Sequence, residues 1–353
     1  MSLWNWVSER YRIAQMEQDS NMIAMCRLFY TALDVMQRSP DEALMLLQKS
    51  RELAESMQDA WWVELIHHWE LQTRMCYKMD YNGTAELATK ALEETRKQFF
   101  RKFPQRTCLH EDLITSYLRQ DPHGYRRQIE EAIASMEESV SPKLDCYQCF
   151  HDLKTDFAIQ TATPEQMLAE GLRYLHVSEE NDHYSASAYG YLCTIAHKRG
   201  EWEPLAEYAK QAEDRARRAE LDYLIPTAYL WQAVVAQHNG DVPLAQQAAM
   251  NATTLAQQFP TSQRSEYYDA LCVYHEEGGR LDEVLKTRER QLQRVLGRAQ
   301  RHTEAQCRAE IFRLRKALGL PSGDALQEAR AAASTLKNPA PLLERIAAYE
   351  GGT

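Results

Sequence analysis

The chain has 353 residues, 44% of them hydrophobic and 26% charged, and a formal net charge of −10. That is the composition of a globular chain rather than a disordered one, and its acidic balance disfavours non-specific binding to nucleic acid or to an anionic membrane. Only 13 glycines and 12 prolines argue against the many tight turns of an all-β fold, and no apolar run approaches the roughly 20 residues of a bilayer span.

The opening stretch MSLWNWVSERYRIAQMEQ lacks a basic leader, a continuous apolar core and a small-residue cleavage site. No secretory signal is therefore expected. The protein is expected in the cytoplasm, with its eight cysteines as reduced thiols. DEALMLLQKSRELAESMQ and TAELATKALEETRKQF read as amphipathic helices. Between them lies WWVELIHHW. Trp62, Leu65 and Trp69 are expected to face the core, with His67 and His68 at its edge. Adjacent histidines diverge on a helix, so the two do not converge easily on one metal. The segment FFRKFPQRTCLHEDLITSYLRQDPHG, with Pro104 and Pro122, is expected to be irregular.

LDCYQCFH, residues 144–151, raises a sharper question. Cys146, Cys149 and His151 could hold a zinc ion, with Cys108 and His110 as further ligands, or serve as a redox dithiol. Yet Leu144, Cys149 or Phe150, Leu153 and Phe157 recur at helical spacing, and cysteine packs well as a small apolar residue. There is no second Cys-x2-Cys pair. The favoured expectation is a packed helix with no metal, no cofactor and no disulfide.

Farther along, three stretches align: AYGYLCTIAHKRGEWEPLAEYAKQA from Ala188, AYLWQAVVAQHNGDVPLAQQAAMNA from Ala228, and YYDALCVYHEEGGRLDEVLKTRERQ from Tyr267. Tyr189, Tyr229 and Tyr268 share one position, and Gly200, Gly240 and Gly279 another. The spacing is close to forty. A second-helix triplet spaced four and then three recurs as Leu205, Ala209, Ala212 and as Ala245, Ala249, Ala252. It returns as Ala43, Leu47, Ser50; as Thr84, Ala88, Ala91; and as Ala325, Ala329, Ala332. Weaker versions are Gln128, Ala132, Ser135 and Leu168, Leu172, Leu175. With Val284 this makes about eight units. Residues at i, i+4 and i+7 share a helix face, and small ones let two helices approach closely.

This pattern resembles the tetratricopeptide repeat, in a longer variant. Tyr189, Leu192, Cys193, Gly200, Leu205, Ala209 and Ala212 match its positions one by one. The resemblance implies an all-α, right-handed α-solenoid of about eight helical hairpins. Residues 1–182 would be the more divergent hairpins and 183–353 the clearer repeats with a terminal capping helix, in one continuous solenoid. It also implies a concave groove lined by first helices. The residues facing it would be Ser187, Gly190, Thr194, His197 and Lys198; then Thr227, Leu230, Val234, Gln237 and His238; then Glu266, Asp269, Val273, Glu276 and Glu277. The last group is acidic and the first weakly basic.

From Lys286 to Lys316 there are ten Lys or Arg and three Glu. Arg290, Arg294, Arg298 and Arg301 are expected along one helical face, as a solvated surface or a patch for an acidic partner. No HExxH, phosphate-cradling glycine loop or G-x-S-x-G occurs. The leading expectation is a non-enzymatic scaffold that binds a protein or peptide partner in the groove. The alternatives are a bacterial-type regulator whose groove takes a signalling peptide or small molecule, and an enzyme built on Cys146, Cys149 and His151.

Overall fold

The computed structural model describes residues 3–94, 104–143, 146–259 and 264–351. Among them there are eighteen α-helices, one π-turn and no strand. Seven helices precede residue 144: α1 (Leu3–Glu17), α2 (Ser20–Val35), α3 (Pro40–Ser56), α4 (Ala60–Thr73), α5 (Tyr81–Glu94), α6 (Pro104–Gln120) and α7 (Arg126–Glu137). The π-turn, Arg74–Lys78, extends α4. Next come α8 (Cys146–Thr161), α9 (Pro164–Ser178), α10 (Asp182–Arg199), α11 (Trp202–Arg218), α12 (Ile225–His238) and α13 (Val242–Gln258). The last five are α14 (Ser265–Glu277), α15 (Leu281–Val295), α16 (Arg301–Ala317), α17 (Gly323–Ser334) and α18 (Ala340–Gly351). Packing is sequential, helix on neighbouring helix.

The helix ends follow from local chemistry. Asp19, Asp59 and Asp241 accept from backbone N–H groups of the first turns of α2, α4 and α13, and Thr163 with Gln166 forms a capping box on α9. Prolines stand at the first or second position of α3, α9, α12 and α13, where no helical N–H is lost. Gly200, Gly240 and Gly279 all sit at φ near +70° (71°, 79° and 68°) in the turns after α10, α12 and α14. A left-handed residue ends each first helix, and glycine takes that conformation without a Cβ clash.

Three second helices bury four positions spaced four, three and four, whereas α17 buries Ala325, Ala329 and Ala333, with Ala332 only half-buried. In α3 the four positions are Ala43, Leu47, Ser50 and Ala54, in α11 Leu205, Ala209, Ala212 and Ala216, and in α13 Ala245, Ala249, Ala252 and Ala256. Two weak triplets fall one residue out of register. α7 buries Ile129, Ala132 and Met136, and α9 buries Met167, Gly171, Tyr174 and Ser178. In α9 the small residue at the contact is Gly171, where a Cβ would lie 3.0 Å from Ile195 and Leu192 methyls. Leu172 therefore faces outward, 44% exposed, while Leu168 is half-buried against the Met167, Leu192 and Ile195 core.

The chain forms two compact units. One comprises residues 1–120, 125–153 and 298–300, the other residues 121–124, 154–297 and 301–353. The main division falls within α8. In the first unit Met25, Phe29, Trp62, Leu65 and Ile66 build the core at the α2–α3–α4 packing. In the second, the largest core joins Cys193, Leu205, Leu230, Trp231, Val234 and Tyr268.

Candidate functional site

Within the second unit, the first helices α10, α12 and α14 carry the ten residues singled out for a groove. Lys198, His238, Asp269 and Glu276 are exposed, and Thr194, His197, Gln237 and Val273 are half-buried. Leu230 and Val234 are fully buried. They belong to the core, because α12 buries apolar residues all round (Ile225, Ala228, Trp231, Ala233 and Ala236 as well) and packs on α11, α13 and α14 together.

An aromatic and imidazole cluster sits where the first helices end. Trp202, at the start of α11, stacks on His238 with ring centroids 3.5 Å apart and planes 9° apart. His197 lies edge-on to Trp202 at 5.9 Å and beside Trp231 at 5.5 Å. His238 Nδ1 is 3.3 Å from Glu277 Oε2 on α14. Burial lowers the His197 pKa, with Glu277 and Glu276 opposing. Trp202 escaped the repeat reading because it belongs to a turn, just after Gly200, and not to a periodic position.

The acidic end of this face is internally paired. Asp269 accepts from Arg288 Nη1 at 2.5 Å, and Glu276 from Arg313 Nη2 at 2.6 Å. Arg313 Nε also donates to Glu310 Oε2 at 2.8 Å. Glu310, buried on α16, further takes Arg345 and the Tyr349 hydroxyl of α18, and these cations hold its carboxyl below the ordinary range against the pull of burial. Glu310, Arg313, Arg345 and Tyr349 carry no repeat signal, and the i,i+3 spacing of Glu310 and Arg313 was their one legible hint. Lys198 donates to the Ile159 carbonyl at 3.1 Å. Its pKa is lowered by burial, and the charges of Asp269 and Arg345 also act on its ammonium.

The four arginines of the basic stretch do not share one helical face. α15 stops at Val295, Gly297 takes φ 72°, Arg298 lies in the loop, and Arg301 opens α16. The excess positive charge is largely met by nearby acids: Lys286 by Glu283 at 2.7 Å, Arg308 by Glu328 at 2.6 Å and Arg315 by Glu289 at 3.3 Å.

In the first unit, LDCYQCFH starts α8, and Leu144 lies outside the described residues. Phe150 and Leu153 are buried as expected, but Cys146 and Cys149 are only half-buried, unlike Cys193 and Cys272 in the core. The inward stripe of α8 begins at Phe150, which leaves the two thiols toward α6. The Cys149 thiol meets the Glu111 carboxylate there, and the charge of Cys146 acts on Cys108. His151 is buried with its ring against Tyr147 at 4.7 Å and Phe150 at 5.2 Å. None of the eight cysteines is in a disulfide. Among the described residues no three His, Cys, Asp or Glu side chains are grouped to hold a metal ion.

The histidines of WWVELIHHW separate as the helix requires. His68 Nδ1 donates to Asp112 Oδ2 at 2.9 Å, and Gln72 Nε2 to Asp112 Oδ1 at 2.7 Å. Asp112 is fully buried. His67 is half-buried, its pKa pushed down to about 4 by burial and by Arg51 and Lys90. Burial pushes Glu111 up to about 7. Trp62 and Leu65 are buried and Trp69 partly so, as the pattern predicts.

Compared with models of known protein families and with curated proteins, the chain matches none. Among the described residues no helix is long and apolar enough to cross a membrane.

Proposed function

We propose that the protein is a non-enzymatic interaction scaffold of the tetratricopeptide type: a right-handed solenoid of eight hairpins, α2–α3 through α16–α17, that binds a protein or peptide partner along its first-helix face, in the cytoplasm. The observation that carries this reading is the split in the second unit between two kinds of surface. The second helices spend their small residues on close packing. The ends of the first helices, with Trp202 at the start of α11, instead hold an aromatic and charged set, His197, His238, Glu276, Glu277 and Lys198, at or near the surface. Aromatic and ionic groups held on a rigid frame suit recognition, since little side-chain freedom remains to be lost on binding.

Site-specific photo-crosslinking tests it. A photoreactive residue replacing Val273, on the first-helix face, is expected to capture a discrete partner in cells of the source organism. The same group replacing Gln246, exposed on α13, is expected to capture none. Equal labelling from both positions, or no labelling from Val273, would refute the proposal.

A further inference from the structure

A cleft of about 830 Å³ opens between α15, α16 and α17, on residues distinct from the face just described. Its size is that of a small-ligand site. The floor is apolar: Leu292 from α15, Ile311 from α16 and Ala325 from α17, each 8% exposed. Most of the charges around it are paired within the protein, as the ion pairs of Lys286, Arg308 and Arg315 show. Two are not. Arg290 on the α15 wall and Asp324 on the α17 wall line the cleft with no hydrogen-bond or ion-pair partner among the described residues.

The walls therefore present an unpaired guanidinium on one side and an unpaired carboxylate on the other, over an apolar floor. That polarity fits a zwitterion. Spacing decides its length. α15 and α17 both pack on α16, at interaxial distances of roughly 8–10 Å each. A free amino acid carries its two charges on neighbouring atoms and cannot reach both walls. An extended chain gains about 3.3–3.6 Å per residue, so two or three residues carry an ammonium and a carboxylate far enough apart.

We propose that this cleft binds a di- or tripeptide with apolar side chains. Its C-terminal carboxylate lies on Arg290, its N-terminal ammonium on Asp324, and its side chains on Leu292, Ile311 and Ala325. The site does not depend on the partner-binding face, and either can fail alone.

Saturation-transfer NMR on the full chain tests this, with leucyl-alanyl-leucine, its N-acetyl form, its C-terminal amide and free leucine as probes. The tripeptide is expected to bind, and each capped form to bind about tenfold more weakly or worse, as expected for one lost charge contact. Free leucine is expected to be weaker still. In Arg290→Gln the amide should bind as well as the free acid. In Asp324→Asn the acetylated form should bind as well as the free amine. Both side chains are exposed, so an unchanged circular dichroism melt is expected for each variant. No binding of the tripeptide at millimolar concentration, equal binding of all four probes, or discrimination unchanged in both variants would overturn the assignment.

Discussion

Glu64 is a carboxylate in the wrong place, and replacing it should stabilise the protein in a pH-dependent way. It lies on α4 with 7% of its surface exposed, and its Oε2 has no hydrogen-bond partner. Burial, with the negative charge of Glu94 adding and Arg106 opposing, pushes its pKa up to about 7 from the ordinary 4.5. Between those two values the folded state keeps a proton that the unfolded chain releases. Stability therefore falls as pH rises through this window, and the loss is complete above pH 7. A shift of this size is worth about 3 kcal/mol at most.

Glu64→Gln keeps the shape and removes the titration. Near pH 5, where the unfolded chain has begun to release this proton and the folded parent still holds it, the variant should exceed the parent by less than about 1 kcal/mol. At pH 8 the variant should be the more stable by up to about 3 kcal/mol, a gain of roughly 2–4 °C in melting temperature per kcal/mol for a unit of this size. Urea unfolding followed by far-ultraviolet circular dichroism at the two pH values gives the difference directly. A stability gap that does not change between pH 5 and pH 8 would show that Glu64 is solvated and that the reasoning from burial is wrong.

Three further outcomes are expected. Asp112→Ala removes the acceptor shared by His68 and Gln72 and should cost about 3–5 kcal/mol, as for a broken buried ion pair; a loss below 1 kcal/mol by urea unfolding would mean water replaces it. Ala252→Leu adds bulk where α13 is fully buried and should cost about 1–3 kcal/mol by the same assay, whereas an unchanged midpoint would place the close helix contact elsewhere. Gly240→Ala meets no neighbouring atom, but the residue holds φ 79°, so the expected penalty of about 1–2 kcal/mol is purely conformational, and a neutral result would mean the turn relaxes.

Much of the helical order was legible because it rests on local rules. A glycine every forty residues marked the left-handed turns, and a four-then-three spacing of small residues marked the close-packed face in α3, α5, α11 and α13. The reading slipped where the small residue was a glycine, as in α9, or where the slot was filled by larger side chains, as with Ile129 and Met136 of α7. The polar networks were hidden for a different reason. His68 and Asp112 are 44 residues apart, and Glu276 meets Arg313 from 37 residues away, so no local period connects them. The groove assignment erred at Leu230 and Val234 because a family position says which side of a helix faces inward, and α12 has neighbours on nearly every side.

Arg288 links these cases. It falls on α15 at the second of the four buried positions, where α11 has Ala209 and α13 has Ala249. A charged side chain in a slot for alanine would normally break the hairpin. Here burial alone would depress the guanidinium, but Asp269 outweighs it and holds the charge. Gln291, the third buried position of the same helix, adds an acceptor at 2.7 Å. The thiols of Cys272 and Cys307 flank it, pushed up to about 12 by burial, and thus remain neutral neighbours. The cost of this exception is spread along the chain. Asp269, exposed where the repeat pattern puts the first-helix face, is paired with Arg288. The acidity counted from the sequence of α14 therefore overstates the unpaired acidity of that face, since Asp269 and Glu276 are both held by arginines.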